Sequence, residues 1–380
     1  MENTETLEKI LNSKKIRYDN LNILFKDYLN PFEKKGKNVN IFVDIQSITK
    51  QMYAPATLEQ LNYLKDADRI IIASEILNFV GHYRHYFASR HEMFTKFYFV
   101  HSYTSSAYHT KLYPTYRNDY YEKRNNMSHP MFGNLNRILM YNMKFVKTIL
   151  NYIPEAHFID SGKIEPSIFP NYIIDNHVDV EDMNLILTND ETYFQDLLLK
   201  DKTFILEMRG SDKSKLITRE LLIDKLLDSS KKSSNDFPNI DSSFIKIIDG
   251  MVPHKNYNTP AVARKGYATS LSLLEKKISE GKIDSLKLND PEYILSLNAV
   301  LFTKDEDKEA YIRNIKLFNH QLAVETQFNL IKDVFNRQLL NLSNNLELMN
   351  VNNTIFAKFP INLEYAFNGE LARSQNLYNN

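Results

Sequence analysis

The sequence predicts an α/β protein with a central parallel sheet and flanking helices, followed by a mainly helical C-terminal region. Short apolar runs rich in β-branched and aromatic residues recur along the first half of the chain, and longer stretches with helical periodicity separate them. Strands that alternate with helices in this way are typical of a parallel sheet. After residues 204–206 the character of the chain changes, and most later apolar patterns have helical spacing.

The elements follow in order along the chain. Residues 1–38 predict an N-terminal helical segment, with short helices at Glu5–Asn12 and Asp19–Leu29. An α/β domain is expected over residues 39–210, and it includes a long helix at Leu135–Tyr152 and a short strand at Phe158–Ile159. The β-rich runs that predict its other strands are Ile41–Ile45, Arg69–Ala73, Phe97–Val100 and Leu185–Thr188.

Residues 211–380 are expected to form the helical region, with the boundary near 205–215. The pattern predicts a helix at Leu216–Leu227, a polar loop at Ser229–Pro238 and mainly helical structure from Ser242 to Asn350. The longest helix of this region is predicted at Leu322–Leu348. Its apolar faces could be covered by this chain or by a protein partner.

Composition excludes several classes of function. The chain of 380 residues has 47 basic and 47 acidic side chains and no cysteine, which excludes disulfides, zinc ribbons and thiol nucleophiles. Nine glycines leave little room for a glycine-rich phosphate loop. No apolar run approaches the roughly 20 residues of a membrane span. We therefore expect a soluble, cytoplasmic protein with no membrane association, and, if the protein is viral, the host cytoplasm or the virion.

Three acidic residues stand where strands of the predicted sheet end. Asp44 closes the strand Ile41–Phe42–Val43, Glu165 follows the strand at Phe158–Ile159, and Asp190 follows Leu185–Thr188. Ligands of an open parallel sheet bind beyond the carboxyl ends of its strands, so these carboxylates can meet at one point. Converging carboxylates favour a hard divalent cation such as Mg²⁺, which serves phosphodiester chemistry. The three residues are thus candidate catalytic groups and metal ligands.

Each acid alone also fits a purely structural role. Aspartate at the end of a strand is common because it accepts turns and caps the helix that follows. Glu165 precedes Pro166, and proline favours the first position of a helix. Only the joint order of the three acids favours a metal site.

That order resembles the flap endonuclease and 5′-3′ exonuclease family of PIN-like nucleases. The segment from His109 to Arg117 reads His-Thr-Lys-Leu-Tyr-Pro-Thr-Tyr-Arg and is similar to the Arg-Lys-x-Leu-Tyr-Pro-x-Tyr-Lys motif that leads into the family's helical arch. Asp44 is similar to the first metal ligand, Glu165 to the first acid of Glu-Ala-Asp-Asp, and Asp190 to the first aspartate of Ser-Gly-Asp-x-Asp. The resemblance covers residues 40–275, implies a Mg²⁺ or Mn²⁺ cofactor, and places an arch-like insertion at about 101–130.

The sequence departs from the family pattern where further acids are expected. The departures are His101, Ser167, Thr192 and Met251. The family's helix-hairpin-helix corresponds to a degenerate part at about 242–280. Two metals close together need more negative charge than three carboxylates supply. The resemblance therefore implies weak or lost catalysis.

Residues 81–130 combine cations with interleaved tyrosines, a pattern that suits nucleic acid. Cations contact phosphates, and aromatic faces stack on unpaired bases. The candidate nucleic-acid-binding residues are Lys111, Tyr113, Tyr116, Arg117, Lys123, Arg124 and, near the degenerate hairpin, Lys255. The alternative is a polar insertion whose tyrosines pack partly against the body of the protein.

Two functions remain open from the sequence. The first is a divergent 5′-nuclease-like protein that binds branched or single-stranded DNA and has weak or lost metal-dependent phosphodiester hydrolysis. If active, it would be a Mg²⁺- or Mn²⁺-dependent 5′-3′ exonuclease or flap endonuclease. The second is a catalytically inactive nuclease fold that serves as a structural or assembly protein, for example of a phage.

Overall fold

A computed structural model describes most of the sheet and the helical region. The described residues are 21–25, 37–47, 67–102, 104–118, 143, 146, 147, 150, 153, 155–194, 202–208, 214–229, 242–254 and 258–343. The predicted helix at Glu5–Asn12, the loop at Ser229–Pro238 after its first residue, and the candidates Lys123, Arg124 and Lys255 lie outside these residues. So does most of the predicted helix at 135–152, although residues 143, 146, 147 and 150 are helical.

A six-stranded sheet forms the centre of the α/β part. Its strands are β1 (Asn38–Asp44), β2 (Phe94–His101), β3 (Ala156–Asp160), β4 (Met183–Thr188), β5 (Thr203–Glu207) and β6 (Lys215–Ile217). Their spatial order is β3-β2-β1-β4-β5-β6, with β1 to β5 parallel and β6 antiparallel to β5. The predicted parallel α/β sheet is confirmed, with an antiparallel edge strand that the sequence did not predict.

Helices flank the sheet and make up the C-terminal region. In the α/β part they are α1 (Leu21–Leu24), α2 (Ala67–His91), α3 (Ala107–Leu112) and α4 (Phe169–His177). The region after β6 contains α5 (Arg219–Ser229), α6 (Ser242–Asp249), α7 (Tyr267–Ser279), α8 (Pro291–Ser296), α9 (Asn298–Leu301), α10 (Asp305–Phe318) and α11 (His320–Ser343). The predicted mainly helical C-terminal region is confirmed over the residues that the structure describes.

The predicted strand at 69–73 is wrong, because these residues lie inside α2. The isoleucines at 70–72 have a high β propensity, yet the helical pattern around them extends over 25 residues and overrides that local preference. Leu216 likewise lies in β6 rather than in a helix, and the predicted helix at Leu216–Leu227 begins later, at Arg219. The division into domains is not decided by these elements and stays a prediction.

Alternation along the strands places one hydrophobic core on each face of the sheet. On β1, Ile41 and Val43 point to the face covered by α2, whereas Phe42 points to the face covered by α4 and α11. Successive side chains of a strand point to opposite faces, and both faces of a parallel sheet are covered. Phe42 and Tyr98 stack with ring centroids 5.1 Å apart because the register pairs them across β1 and β2.

The helices after β6 have a core of their own. Buried apolar side chains from α6, α7, α8, α9 and α10 form one cluster, in which Tyr311 is completely buried. The hydroxyl of Tyr311 donates to the carbonyl of Ile294 over 3.1 Å, which satisfies its only polar group. Across the described parts of the chain, we find no helix with the length and apolar character needed to cross a membrane.

Candidate functional site

The three acids lie at or beyond the carboxyl ends of three parallel strands, on the same side of the sheet. The strand order changes direction between β1 and β4, and ligands of open α/β sheets bind beyond the carboxyl ends of the strands at such a switch point. Asp44 is the last residue of β1, and Asp190 lies two residues past the end of β4. Glu165 lies five residues past the end of β3. We call the space beside these side chains the carboxylate pocket.

Asp44 is held by hydrogen bonds from the loops that follow β1 and β4. Its Oδ1 accepts from the backbone N–H of Gln46 at 3.1 Å, which is a local turn. Its Oδ2 accepts from Ser47 Oγ at 2.5 Å and from Thr188 Oγ1 at 3.2 Å. Ser47 Oγ in turn accepts from the backbone N–H of Asn189 at 2.9 Å. The carboxylate therefore fixes the ends of two strands to each other.

Asp190 and Glu165 each begin a turn of 3₁₀-helix. Asp190 Oδ1 accepts from the backbone N–H of Thr192 at 3.0 Å, so it caps the turn Glu191–Tyr193. Glu165 precedes Pro166, the first residue of the turn Pro166–Ile168, without a side-chain capping bond. The structural roles that the sequence allowed for Asp44 and Asp190 are present.

A single arginine joins the two remaining carboxylates. Arg117 Nη1 lies 3.1 Å from Glu165 Oε1, and Arg117 Nη2 lies 2.6 Å from Asp190 Oδ2. The side chains of Arg117 and Glu165 are only 4% and 3% exposed, while that of Asp190 is 21% exposed. Hydrogen bonds between charged groups are short and strong, and a guanidinium presents two donors in a fixed plane. The guanidinium thus lies between Glu165 and Asp190.

This pairing lowers the pKa of Asp190. Burial acts to raise the pKa of its carboxyl, but the charge of Arg117 and the hydrogen bonds from Arg117 and Thr192 act in the opposite direction. Their combined effect is larger, so the pKa of Asp190 lies below its ordinary value. The carboxylate is ionised and its charge is compensated within the chain.

The donors as they are arranged do not fit a divalent cation. An ion between Glu165 and Asp190 would have to replace the guanidinium that already bridges them. Within the described residues, no three His, Cys, Asp or Glu side chains are placed so that they could hold a metal ion together. This arrangement of side chains therefore supports no reaction step through a metal ion.

The positions where the family pattern has further acids are all interior. His101, Ser167, Thr192 and Met251 are each buried, between 0% and 4% exposed. Asp182 cannot replace the missing acids, because it precedes β4 and accepts from Asn38 at the amino end of the sheet. The structure offers the carboxylate pocket no substitute for the missing charges among these residues.

Comparison with solved structures decides the fold. The chain is similar to bacteriophage T5 flap endonuclease, solved as a pseudo-enzyme–product complex with DNA and metal ions: the TM-score is 0.52, the identity 14%, and the match covers 81% of this chain and 98% of that one. This chain has a flap-nuclease-like fold. Bacteriophage T5 5′-exonuclease with bound zinc ions matches with a TM-score of 0.51, 15% identity, and 81% and 99% coverage. No family model and no curated protein matches the sequence.

On this flap-nuclease-like fold, the predicted nucleic-acid residues lie in different environments. Lys111 is exposed on α3. Tyr116 is buried and stacks on His109 with ring centroids 4.8 Å apart, and Arg117 is buried in the carboxylate pocket. Tyr113 is partly buried, and its hydroxyl donates to the carbonyl of Asn258 at 3.0 Å. Of the described candidates, Lys111 is the one whose side chain is plainly open to a phosphate.

Sequence reasoning missed a group of buried polar side chains behind the pocket. His109 Nδ1 lies 2.7 Å from Ser106 Oγ, and His320 Nε2 lies 3.3 Å from Ser167 Oγ. His320 begins α11, more than 150 residues away from Ser167 in sequence. Burial lowers the pKa of His109 to about 3, and the charges of His320 and Arg117 act in the same direction. Ser106 caps α3, which a local signal could have shown, but no local motif signals the contact between Ser167 and His320.

Acid should unfold the protein partly through His109. Its pKa is lowered in the folded state, so below about 6.5 the unfolded chain takes up a proton that the folded chain excludes. Stability is therefore full above pH 6.5 and falls as the pH decreases towards 3. Between pH 7 and 5 the loss from this group is about 2 kcal/mol. Urea unfolding at pH 7 and at pH 5 measures the loss of unfolding free energy between the two. This loss should be smaller in His109→Gln than in the wild type by about 2 kcal/mol. Equal losses in the two proteins would contradict the prediction.

Proposed function

We propose that this protein binds branched or single-stranded DNA on a flap-nuclease-like fold and has weak or no metal-dependent phosphodiester hydrolysis. The observation that carries the proposal is the buried guanidinium of Arg117 between Glu165 and Asp190. Hydrolysis by metal-activated water needs carboxylates that are available to the ion. Here two of the three candidate ligands already have a cationic partner.

Binding to DNA is supported by the fold and by cations near the pocket. The bacteriophage T5 flap endonuclease of similar fold was solved with DNA. In this chain, Lys163 is exposed two residues before Glu165, and its carbonyl accepts from the backbone N–H of Ala107 at 2.9 Å. This contact places Lys163 beside the start of α3, on which Lys111 is also exposed. Two exposed lysines, one of them two residues before Glu165 and the other six residues before Arg117, suit a phosphate backbone.

A gel-shift titration with a 5′-flap DNA and a single strand, in EDTA and over a series of salt concentrations, tests the proposal. We expect a metal-independent shift whose affinity decreases steeply with salt. Lys111→Ala and Lys163→Ala should each weaken binding, and each should reduce the slope of log Kd against log salt by about 0.7–0.9. The slope decreases because the variant makes one phosphate contact fewer and so releases fewer counterions when it binds.

Lys202→Ala is the matched control. Lys202 pairs with Glu181 at the amino end of the sheet, at the opposite edge from the pocket, so its loss should leave the slope unchanged. If none of the DNAs binds in EDTA or with Mg²⁺, DNA binding is contradicted, and a structural or assembly role with a protein partner becomes the better explanation. Equal effects of all three substitutions would contradict the proposed location of the contacts.

A further inference from the structure

The backbone of Arg117 has an unusual conformation. Its φ is +54°, in the left-handed region that residues with a Cβ rarely occupy. Such a conformation costs energy and persists only where surrounding contacts compensate for it. Five other non-glycine residues of the described chain also have a positive φ, and Arg117 differs from them in that its side chain pairs with Glu165 and Asp190. This departure from ordinary backbone geometry lies at the carboxylate pocket itself.

The residues before Arg117 are fastened to the helical region. We call residues 113–117 the closing segment. The hydroxyl of Tyr113 donates to the carbonyl of Asn258 at 3.0 Å, and Asn258 Nδ2 donates to the carbonyl of Thr115 at 3.2 Å. The guanidinium of Arg313, on α10, lies 4.6 Å from the centre of the Tyr113 ring. These contacts hold the segment to residues that are distant in sequence.

Within the closing segment, the side chain of Tyr116 is buried in the interior of the protein. Tyr116 is 2% exposed and packs in one cluster with Leu317 and Phe318, where α10 ends. Its ring stacks on His109 at an angle of 23°. A side chain buried on one face of the segment fixes where the next residue can point. The position of Arg117 is therefore determined by packing as well as by its own ion pairs.

We propose that Arg117 is a built-in cation that takes the place of a divalent metal ion between Glu165 and Asp190. The closing segment holds it there, so in the folded protein a positive charge already lies between these two carboxylates. This inference rests on one part of the proposed function, the weak or absent metal-dependent hydrolysis, and it gives a cause for it.

The exchange is favourable for reasons of charge and geometry. A guanidinium donates two hydrogen bonds to two carboxylates without losing a tightly held water shell, whereas Mg²⁺ and Mn²⁺ must give up part of theirs. A positive charge between the two carboxylates also cancels part of the negative charge that would attract a cation. If Arg117 is replaced by an uncharged residue, the carboxylate oxygens of Glu165 and Asp190 no longer contact a guanidinium. The pocket then becomes an oxygen-rich site of the kind that hard divalent cations prefer.

Thermal unfolding and calorimetric titration with Mn²⁺ on the full chain test the proposal. The wild-type midpoint should be the same in EDTA and in excess Mn²⁺, and titration should show no saturable binding. Arg117→Met should unfold in EDTA at a temperature lower by about 5 °C or more, because the buried Glu165 and the partly buried Asp190 lose the guanidinium. Mn²⁺ should raise the midpoint of this variant and bind to it saturably.

A control variant without the three charges separates the effect of the acids from that of the packing. The triple variant Arg117→Met, Glu165→Gln, Asp190→Asn keeps the shapes but removes the charges, so its midpoint should not respond to Mn²⁺. Saturable Mn²⁺ binding to the wild type that disappears in Asp190→Asn would overturn the proposal. So would an Arg117→Met protein that is folded and binds no Mn²⁺. If Arg117→Met does not fold, the wild-type titration still decides. No DNA is involved, so these outcomes are independent of whether DNA binds.

Discussion

Replacing Glu165 with alanine is expected to lower the free energy of unfolding by about 3 kcal/mol. The side chain is 3% exposed and is one of two carboxylates paired with the buried guanidinium of Arg117. Removal of one partner of a buried ion pair leaves a charge that neither water nor protein fully compensates. Asp190 keeps its contact with Arg117 at 2.6 Å, so we expect a decrease in unfolding free energy at the lower end of the range for broken buried ion pairs. Urea unfolding at pH 7 measures the change.

Two further variants identify the cause of this loss. Glu165→Gln retains an acceptor for Arg117 and should be less destabilised than Glu165→Ala. Combining Arg117→Met with Glu165→Gln should cost less than the sum of the separate changes, because the two side chains contact each other. A change below about 1 kcal/mol for Glu165→Ala would match an exposed ion pair and would contradict a buried one.

Gly250→Ala is expected to destabilise the helical region by about 1–3 kcal/mol, as overpacking of a core does. Gly250 follows α6, and a Cβ at this position would lie 2.5 Å from Ile315 Cδ1, 2.8 Å from Ile315 Cγ1 and 3.0 Å from Tyr311 Cε2. Ile315 and Tyr311 are both buried, so neither side chain can move into solvent. The carbonyl of Gly250 also accepts from Asn314 Nδ2 at 3.2 Å, which restrains the backbone.

A compensating substitution tests the contact directly. Ile315→Val removes the Cδ1 methyl that lies nearest to the added Cβ. The cost of Gly250→Ala, measured by urea unfolding, should therefore be smaller in the Ile315→Val background than in the wild type. An equal cost in both backgrounds would show that close packing against α10 is not the reason that glycine is present.

Most strands could be predicted from the sequence because an apolar run is visible within a few residues. The apolar runs that contain Phe42, Tyr98 and Ile186 identified β1, β2 and β4, and the order of strands and helices indicated the parallel sheet. The isoleucines in α2 misled the prediction, because β propensity over a few residues is weaker than the tertiary context of a long helix. Strand β6 has only three residues, too few to show an alternation.

The carboxylate pocket was predictable in position but not in its contacts. Asp44, Glu165 and Asp190 follow strands, and a switch point between β1 and β4 places such residues at one edge. The sequence also marked Arg117, but as a residue that contacts phosphate. Its partners Glu165 and Asp190 lie 48 and 73 residues away, and no spacing rule covers such distances. The left-handed backbone of Arg117 and the burial of the Tyr116 ring against Leu317 and Phe318 likewise cannot be read from the sequence.

The decisive experiment for the role of Arg117 is a cleavage assay. It uses the wild-type protein and a labelled 5′-flap DNA, with Mn²⁺, with Mg²⁺ and with EDTA. Because Arg117 occupies the space between Glu165 and Asp190, we predict that the DNA is bound in all three conditions and is cut no faster with either metal than with EDTA. Metal-dependent cutting that is abolished by Asp44→Ala would contradict this role. It would show that the carboxylate pocket of the wild-type chain admits a metal ion and that Arg117 gives way to it.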